Sequence, residues 1–173
     1  MSDNSIRTQI WSLLNNTKFH GYCLAILVDK FQKRERIINI FLALVSSGSI
    51  AAWAIWRVEP MIWGAIIAIS QVIMAIKPYI PYFKYVKEFN SKNSRIDYLN
   101  IEIEKLWYKY QNKKITEAEA EEIYFDIKKQ IVSILNFDDD TVFSITPKIE
   151  KKANEKMKVF LKNNYNMDVN INE

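Results

Sequence analysis

Apolar and polar positions alternate with a helical period over most of the chain. Ile6, Ile10, Leu13 and Leu14 fall on one face of a first amphipathic segment. Gly21 interrupts that face, and Tyr22, Ile26, Leu27 and Phe31 carry it toward a segment of different character. From Ile37 to Trp56 the sequence reads IINIFLALVSSGSIAAWAIW, twenty residues without a charge. Arg57-Val58-Glu59 follow, and from Pro60 to Ile76 seventeen more uncharged residues read PMIWGAIIAISQVIMAI. At about 1.5 Å per residue the two runs span roughly 30 Å and 25 Å, against a bilayer hydrocarbon core of about 30 Å. Snorkelling of Lys77 extends the shorter run, and Pro60 suits a first helical turn. The pattern predicts a transmembrane helical hairpin within 37–83, with spans at 37–56 and 60–77. The alternative is a buried hairpin in a soluble helical protein, but neither run has the charged stripe of a surface helix. A secretory signal is excluded, because a charged segment precedes the first run.

After the hairpin, Ile96, Leu99, Ile103, Leu106 and Tyr110 recur at spacings of 3 and 4, a heptad-like seam suited to helix or subunit packing. Gln111-Asn112-Lys113-Lys114 reads as a turn. Thr116-Glu117-Ala118-Glu119 reads as a capping box opening a helix with Ala120, Ile123, Ile127, Ile131 and Ile134 on one face. Asn136–Asp140 is a polar break; Asp138-Asp139-Asp140 lack the spaced ligands and glycine of a calcium loop and read as a solvated turn. Thr146-Pro147 then caps and opens a last helix with Ile149, Ala153, Met157, Phe160 and Leu161 inside. The expected organisation is an N-terminal cytoplasmic helix over 1–36, the hairpin, a cytoplasmic helical domain over 84–163 and a flexible tail over 164–173. The expected fold class is an all-α, oligomeric membrane protein.

Composition averages these parts. The 173 residues are 49% apolar and 25% charged, which by itself describes an ordinary soluble domain. The net charge of +4 changes meaning once divided. Residues 1–83 hold 8 Lys/Arg and 4 Asp/Glu; residues 84–173 hold 16 of each. Lys30, Lys33, Arg34 and Arg36 before the first run, and Lys77, Lys84 and Lys87 after the second, place both termini in the cytoplasm by the positive-inside rule. Trp53, Trp56 and Trp63 at one end and Tyr79, Tyr82, Phe83 and Tyr85 at the other match interfacial aromatic belts.

Candidate chemistry is sparse. One histidine, His20, and one cysteine, Cys23, argue against a histidine or cysteine metal centre, a disulfide framework and a Ser-His-Asp relay. No Gly-rich phosphate loop is present. We therefore expect no enzyme activity, metal or cofactor. Small and polar residues mark the hairpin instead. Asn39, Ser46 and Ser47 lie in the first run; Gly64, Ala68, Gln71 and Ala75 form a small-residue stripe in the second. They suit either packing within the hairpin or contact with other protomers around a polar pore. Two helices per chain cannot enclose a pore alone, so a channel requires an oligomer.

Residues 115–140 hold 8 acids and 2 lysines, whereas 147–162 hold 6 lysines and 2 acids. The simplest reading is that these helices dock on each other or pair between subunits. The other is that Lys148, Lys151, Lys152 and Lys156 bind a phosphate-bearing ligand.

The order of parts resembles the SLATT family of two-transmembrane effectors in bacterial nucleotide-signalling defence. The resemblance runs over about residues 5–163. It rests on the basic exit Lys33-Arg34-Glu35-Arg36, the serine-rich Ser46-Ser47-Gly48-Ser49, the segment Leu106-Trp107-Tyr108-Lys109-Tyr110, the Ile115–Glu119 helix start and the Thr146-Pro147 helix. It implies a homo-oligomeric effector, with a tetramer favoured, of the bacterial inner membrane that forms a pore during phage infection. It further implies control by a cyclic or linear oligonucleotide from a partner nucleotidyltransferase. Three function classes stand at this point: such a pore, a membrane-anchored adaptor for a protein partner, and, least supported, a helical enzyme.

Overall fold

The computed structural model describes residues 5–47, 60–77, 81–136 and 145–167. Among these the fold is all-α: α1 (Ile6–Ser47), α2 (Pro60–Ile76), α3 (Pro81–Gln111), α4 (Glu117–Leu135) and α5 (Pro147–Tyr165), with no strand. The chain divides into two compact units, residues 1–27 with 89–173, and residues 28–88.

In the larger unit one core cluster joins three helices. Ile6, Ile10 and Leu14 of α1 meet Ile96, Leu99, Ile103 and Leu106 of α3 and Ala120, Tyr124, Ile127, Ile131 and Ile134 of α4. Ile10, Ile96 and Ile103 are fully buried. Each helix contributes one stripe at 3–4 spacing, so the cluster is what amphipathic periodicity demands. The predicted subunit seam is corrected here. Ile96, Leu99, Ile103 and Leu106 are buried against α1 and α4 of the same chain, and Tyr110 packs half-buried at the edge. A seam consumed inside the protomer has no surface left for a second copy.

Helix α1 runs unbroken through Gly21 and past residue 36, so the shift in polarity there is not a break in structure. Gly21 permits close approach of α3: a Cβ there would lie 3.2 Å from Ile96 Cγ2 and 3.3 Å from Asn100 Nδ2.

In the larger unit neighbouring helices run antiparallel. Trp11 meets Trp107 at 5.0 Å between ring centres, and Lys18 pairs with Glu104 at 2.7 Å, fixing α1 against α3. Tyr98 and Leu99 lie beside Gln130 and Ile134, and Lys92 Nζ donates to the Asn136 carbonyl at 2.8 Å, fixing α3 against α4. Helix α5 lies along α1: Tyr165 meets Trp11 edge-on at 4.8 Å, Lys18 sits 4.6 Å from the Phe160 ring, and Lys156 6.0 Å from that of Tyr22.

The helix ends follow their chemistry. The turn after α3 places Lys113 in the left-handed region at φ 51°, with Lys114 N–H donating to the Lys109 carbonyl at 2.9 Å. The capping box is complete: Glu119 N–H donates to Thr116 Oγ1 at 3.3 Å, and Thr116 N–H donates to the Glu119 carboxylate at 2.8 Å. Thr146 is an N-cap in position only, since its side chain makes no capping hydrogen bond; Pro147 at the first turn and Ile149 N–H on the Thr146 carbonyl at 2.8 Å start α5. Helix α5 continues past the predicted tail boundary to Tyr165, held by its ring contacts, and left-handed Asn166 closes it. Two predicted core positions differ. Ile123 is 37% exposed while Tyr124 takes the inward place, and Phe160 is half-buried.

In the smaller unit, Leu42 of α1, Ser70 of α2 and Val86 of α3 are buried. Ser70 Oγ donates to the Ile67 carbonyl at 2.7 Å, so its hydroxyl is satisfied within its own helix. Lys77 Nζ donates to Asn39 Oδ1 at 2.8 Å, joining the end of α2 to α1.

Candidate functional site

Helix α2 places its small-residue stripe outward. Gly64, Ala68, Gln71 and Ala75 are exposed, and nothing lies within 4 Å of a Cβ built on Gly64. The less exposed side of α2 carries Ile66, Ser70, Ile73 and Lys77. At 100° per residue the two stripes face about 160° apart. Among the described residues the small stripe is therefore left exposed. Asn39 is exposed and accepts from Lys77. With Gln32, Glu35, Arg36, Ile40 and Ala43 it lines an open groove of about 600 Å³. Ser46 and Ser47 end α1, and their side chains lie outside the described residues, as do Trp53, Trp56, Trp63, Tyr79, Tyr82, Phe83, Tyr85 and Asp138–Asp140.

Around α2 the exposed side chains other than Gln71 are apolar. Met61 is 87% exposed, Ile62 57%, Ile69 55%, Val72 59%, Met74 48% and Ile76 47%. At 100° per residue Met61, Ile62, Ile69, Val72 and Ile76 fall within one arc of about 100°, while Met74 and Ile67 lie on another side of the helix. Among the described residues no helix is long and apolar enough to cross a membrane. Helix α2 has 17 residues, and the first uncharged run is described only as far as Ser47.

The lysine face is solvent-facing. Lys148, Lys151, Lys152 and Lys156 are all exposed on α5, opposite buried Ile149, Ala153, Met157 and Leu161. The acids Glu117, Glu121 and Glu122 are exposed on α4. Helix α5 meets α1 through ring contacts, Tyr165 on Trp11, Lys18 over Phe160 and Lys156 over Tyr22.

Periodicity did not reveal a polar seam between α1 and α3. Asn100 is buried with Oδ1 unpartnered, beside Gly21. Partial burial lifts the Asp97 carboxyl above its ordinary range despite nearby Lys18. Burial, then Glu104 and Asp97, push the Tyr22 hydroxyl upward, and burial lowers His20. A signal was available in the interruption of the apolar pattern at Thr17, Lys18 and Gly21 opposite Asp97, Asn100 and Glu104. Nearby, Ser91, Ser94, Arg95, Tyr98 and Gln130 line an open groove of about 430 Å³ between α3 and α4. Among the described residues no group of three or more His, Cys, Asp or Glu side chains is arranged to hold a metal.

No family model, curated protein or solved structure matches the chain.

Proposed function

We propose that residues 37–77 form a membrane hairpin and that the chain is a self-assembling effector of the bacterial inner membrane, of the SLATT type. Assembled copies form a pore that depolarises the infected cell in phage defence, under control of a nucleotide or oligonucleotide signal at the cytoplasmic helices. The observation that carries this reading is the apolar exposure around α2. Large apolar side chains face outward on two separate sides of α2, and with the exposed Ala65, Ala68 and Ala75 they leave only the side of Ile66, Ser70, Ile73 and Lys77 covered; so broad an apolar surface suits lipid better than one docked partner. The outward stripe of Gly64, Ala68, Gln71 and Ala75 supports close contact between neighbouring hairpins, with Gln71 as its one amide.

The test is inner-membrane potential on induction, followed with a potential-sensitive dye. The proposal expects depolarisation by the parent chain and an altered rate for Gln71→Leu. A membrane-located chain that leaves the potential unchanged would defeat the pore. The second reading, a membrane-anchored adaptor, is favoured by the exposed Tyr98, Ile101 and Tyr108 on α3. Function that survives replacement of the hairpin by an unrelated anchor would select it.

A further inference from the structure

Self-association leaves open which surfaces meet, because the heptad-like seam is buried inside the protomer. We propose that the outer face of α4 in one copy docks on the outer face of α5 in the next. This deepens the proposed assembly and rests on it for the shared orientation of copies in one bilayer.

The outer face of α4 carries Glu122, Phe125, Lys129 and Val132, at spacings of 3, 4 and 3. The outer face of α5 carries Lys152, Glu155, Val159 and Lys162, also at 3, 4 and 3. Three of these are apolar residues held in water: Phe125 is 59% exposed, Val132 64% and Val159 59%. Among the described residues Glu122, Lys129, Lys152 and Glu155 form no ion pair within the chain.

Direction decides the register. Helix α3 runs against α1, α4 against α3, and α5 against α1, so α4 and α5 of one copy point in opposite directions. Copies related by rotation about an axis along these helices keep that relation across a contact. Laid antiparallel, the two faces match position for position: Glu122 with Lys162, Phe125 with Val159, Lys129 with Glu155, and Val132 with the aliphatic stem of Lys152. Both ion pairs have opposite sign, and the apolar residues fall between and beside them. Each copy offers a different face to each neighbour, so the contact is heterologous and closes a ring when the rotation permits.

The test is disulfide crosslinking of the full-length chain in cell membranes. Cys23 is buried and stays out of the reaction. A chain carrying Phe125→Cys and Val159→Cys is expected to give a ladder of dimer, trimer and higher species on oxidation, while either substitution alone gives none. Lys129→Glu in that background should lower the ladder about tenfold, because it sets two carboxylates together; adding Glu155→Lys should restore it. Lys129→Cys with Glu155→Cys is a second reporter at exposed positions. No ladder from either pair, or a dimer from Phe125→Cys alone, would overturn the proposal. A ladder from chain recovered in the soluble fraction would keep this interface while defeating the membrane reading.

Discussion

Replacing Ile103 by alanine is the sharpest test of the seam's role. Ile103 is fully buried in α3 and packs in the cluster shared by α1, α3 and α4. Alanine removes three carbon atoms, and the neighbours on two other helices cannot close the space without leaving their own contacts. The expected loss is about 3 kcal/mol, within the usual range for a large aliphatic residue cut to alanine. For a unit near 100 residues that corresponds to roughly 12 °C in Tm, at about 4 °C per kcal/mol. The assay is thermal unfolding in detergent, followed by circular dichroism at two protein concentrations tenfold apart. Because the cavity lies inside one chain, the shift should be the same at both. A loss below about 1 kcal/mol, or a Tm that depends on concentration only in the parent, would refute the placement of this side chain and return the seam to the subunit contact.

Three further outcomes follow from other parts of the structure. Thr116→Ala removes the acceptor for Glu119 N–H and should cost about 1 kcal/mol by denaturant unfolding; the Glu119 carboxyl, held below its ordinary range by Thr116, should move back up in an NMR titration. Asp97→Asn should raise Tm at pH 7. A carboxyl lifted in the folded state loses stability as pH rises from the ordinary value, about 3.9, through the folded one, so the advantage of the amide variant should vanish below about pH 4. Gly21→Leu should be strongly destabilising, because Ile96 and Asn100 already stand 3.2 and 3.3 Å from a Cβ at that position; an unchanged melting curve would show that α1 and α3 are not in close contact there.

Much of the fold is readable from periodicity because α3, α4 and α5 each bury one stripe. Four of the five apolar positions expected for α4 are buried, and the Thr116 capping box is formed to the atom. The exceptions have local causes. Tyr124 reaches inward in place of Ile123 because it joins the α1–α3–α4 cluster. Thr146 starts a helix without side-chain capping, and the Ile149 N–H that its side chain would cap donates instead to the Thr146 carbonyl. The seam of Ile96, Leu99, Ile103 and Leu106 shows how far periodicity goes: spacing announces that a helix packs, and not whether its partner belongs to the same chain. The same limit applies to the hairpin. Gly64, Ala68 and Gln71 are legible as a stripe, but only the opposite placement of Ser70 tells that the stripe turns outward. The lysines of α5 are legible as a face, and exposure alone names no ligand for them. The polar contacts around Asn100 and Lys18 escaped because they cross from α1 to α3, some 80 residues apart in sequence.

The central claim is that residues 37–77 reside in a bilayer, and alkaline carbonate extraction of membranes from cells expressing the full chain tests it most directly. The account predicts that the chain stays in the membrane pellet, as an integral protein does. Quantitative release of folded chain into the supernatant would contradict it.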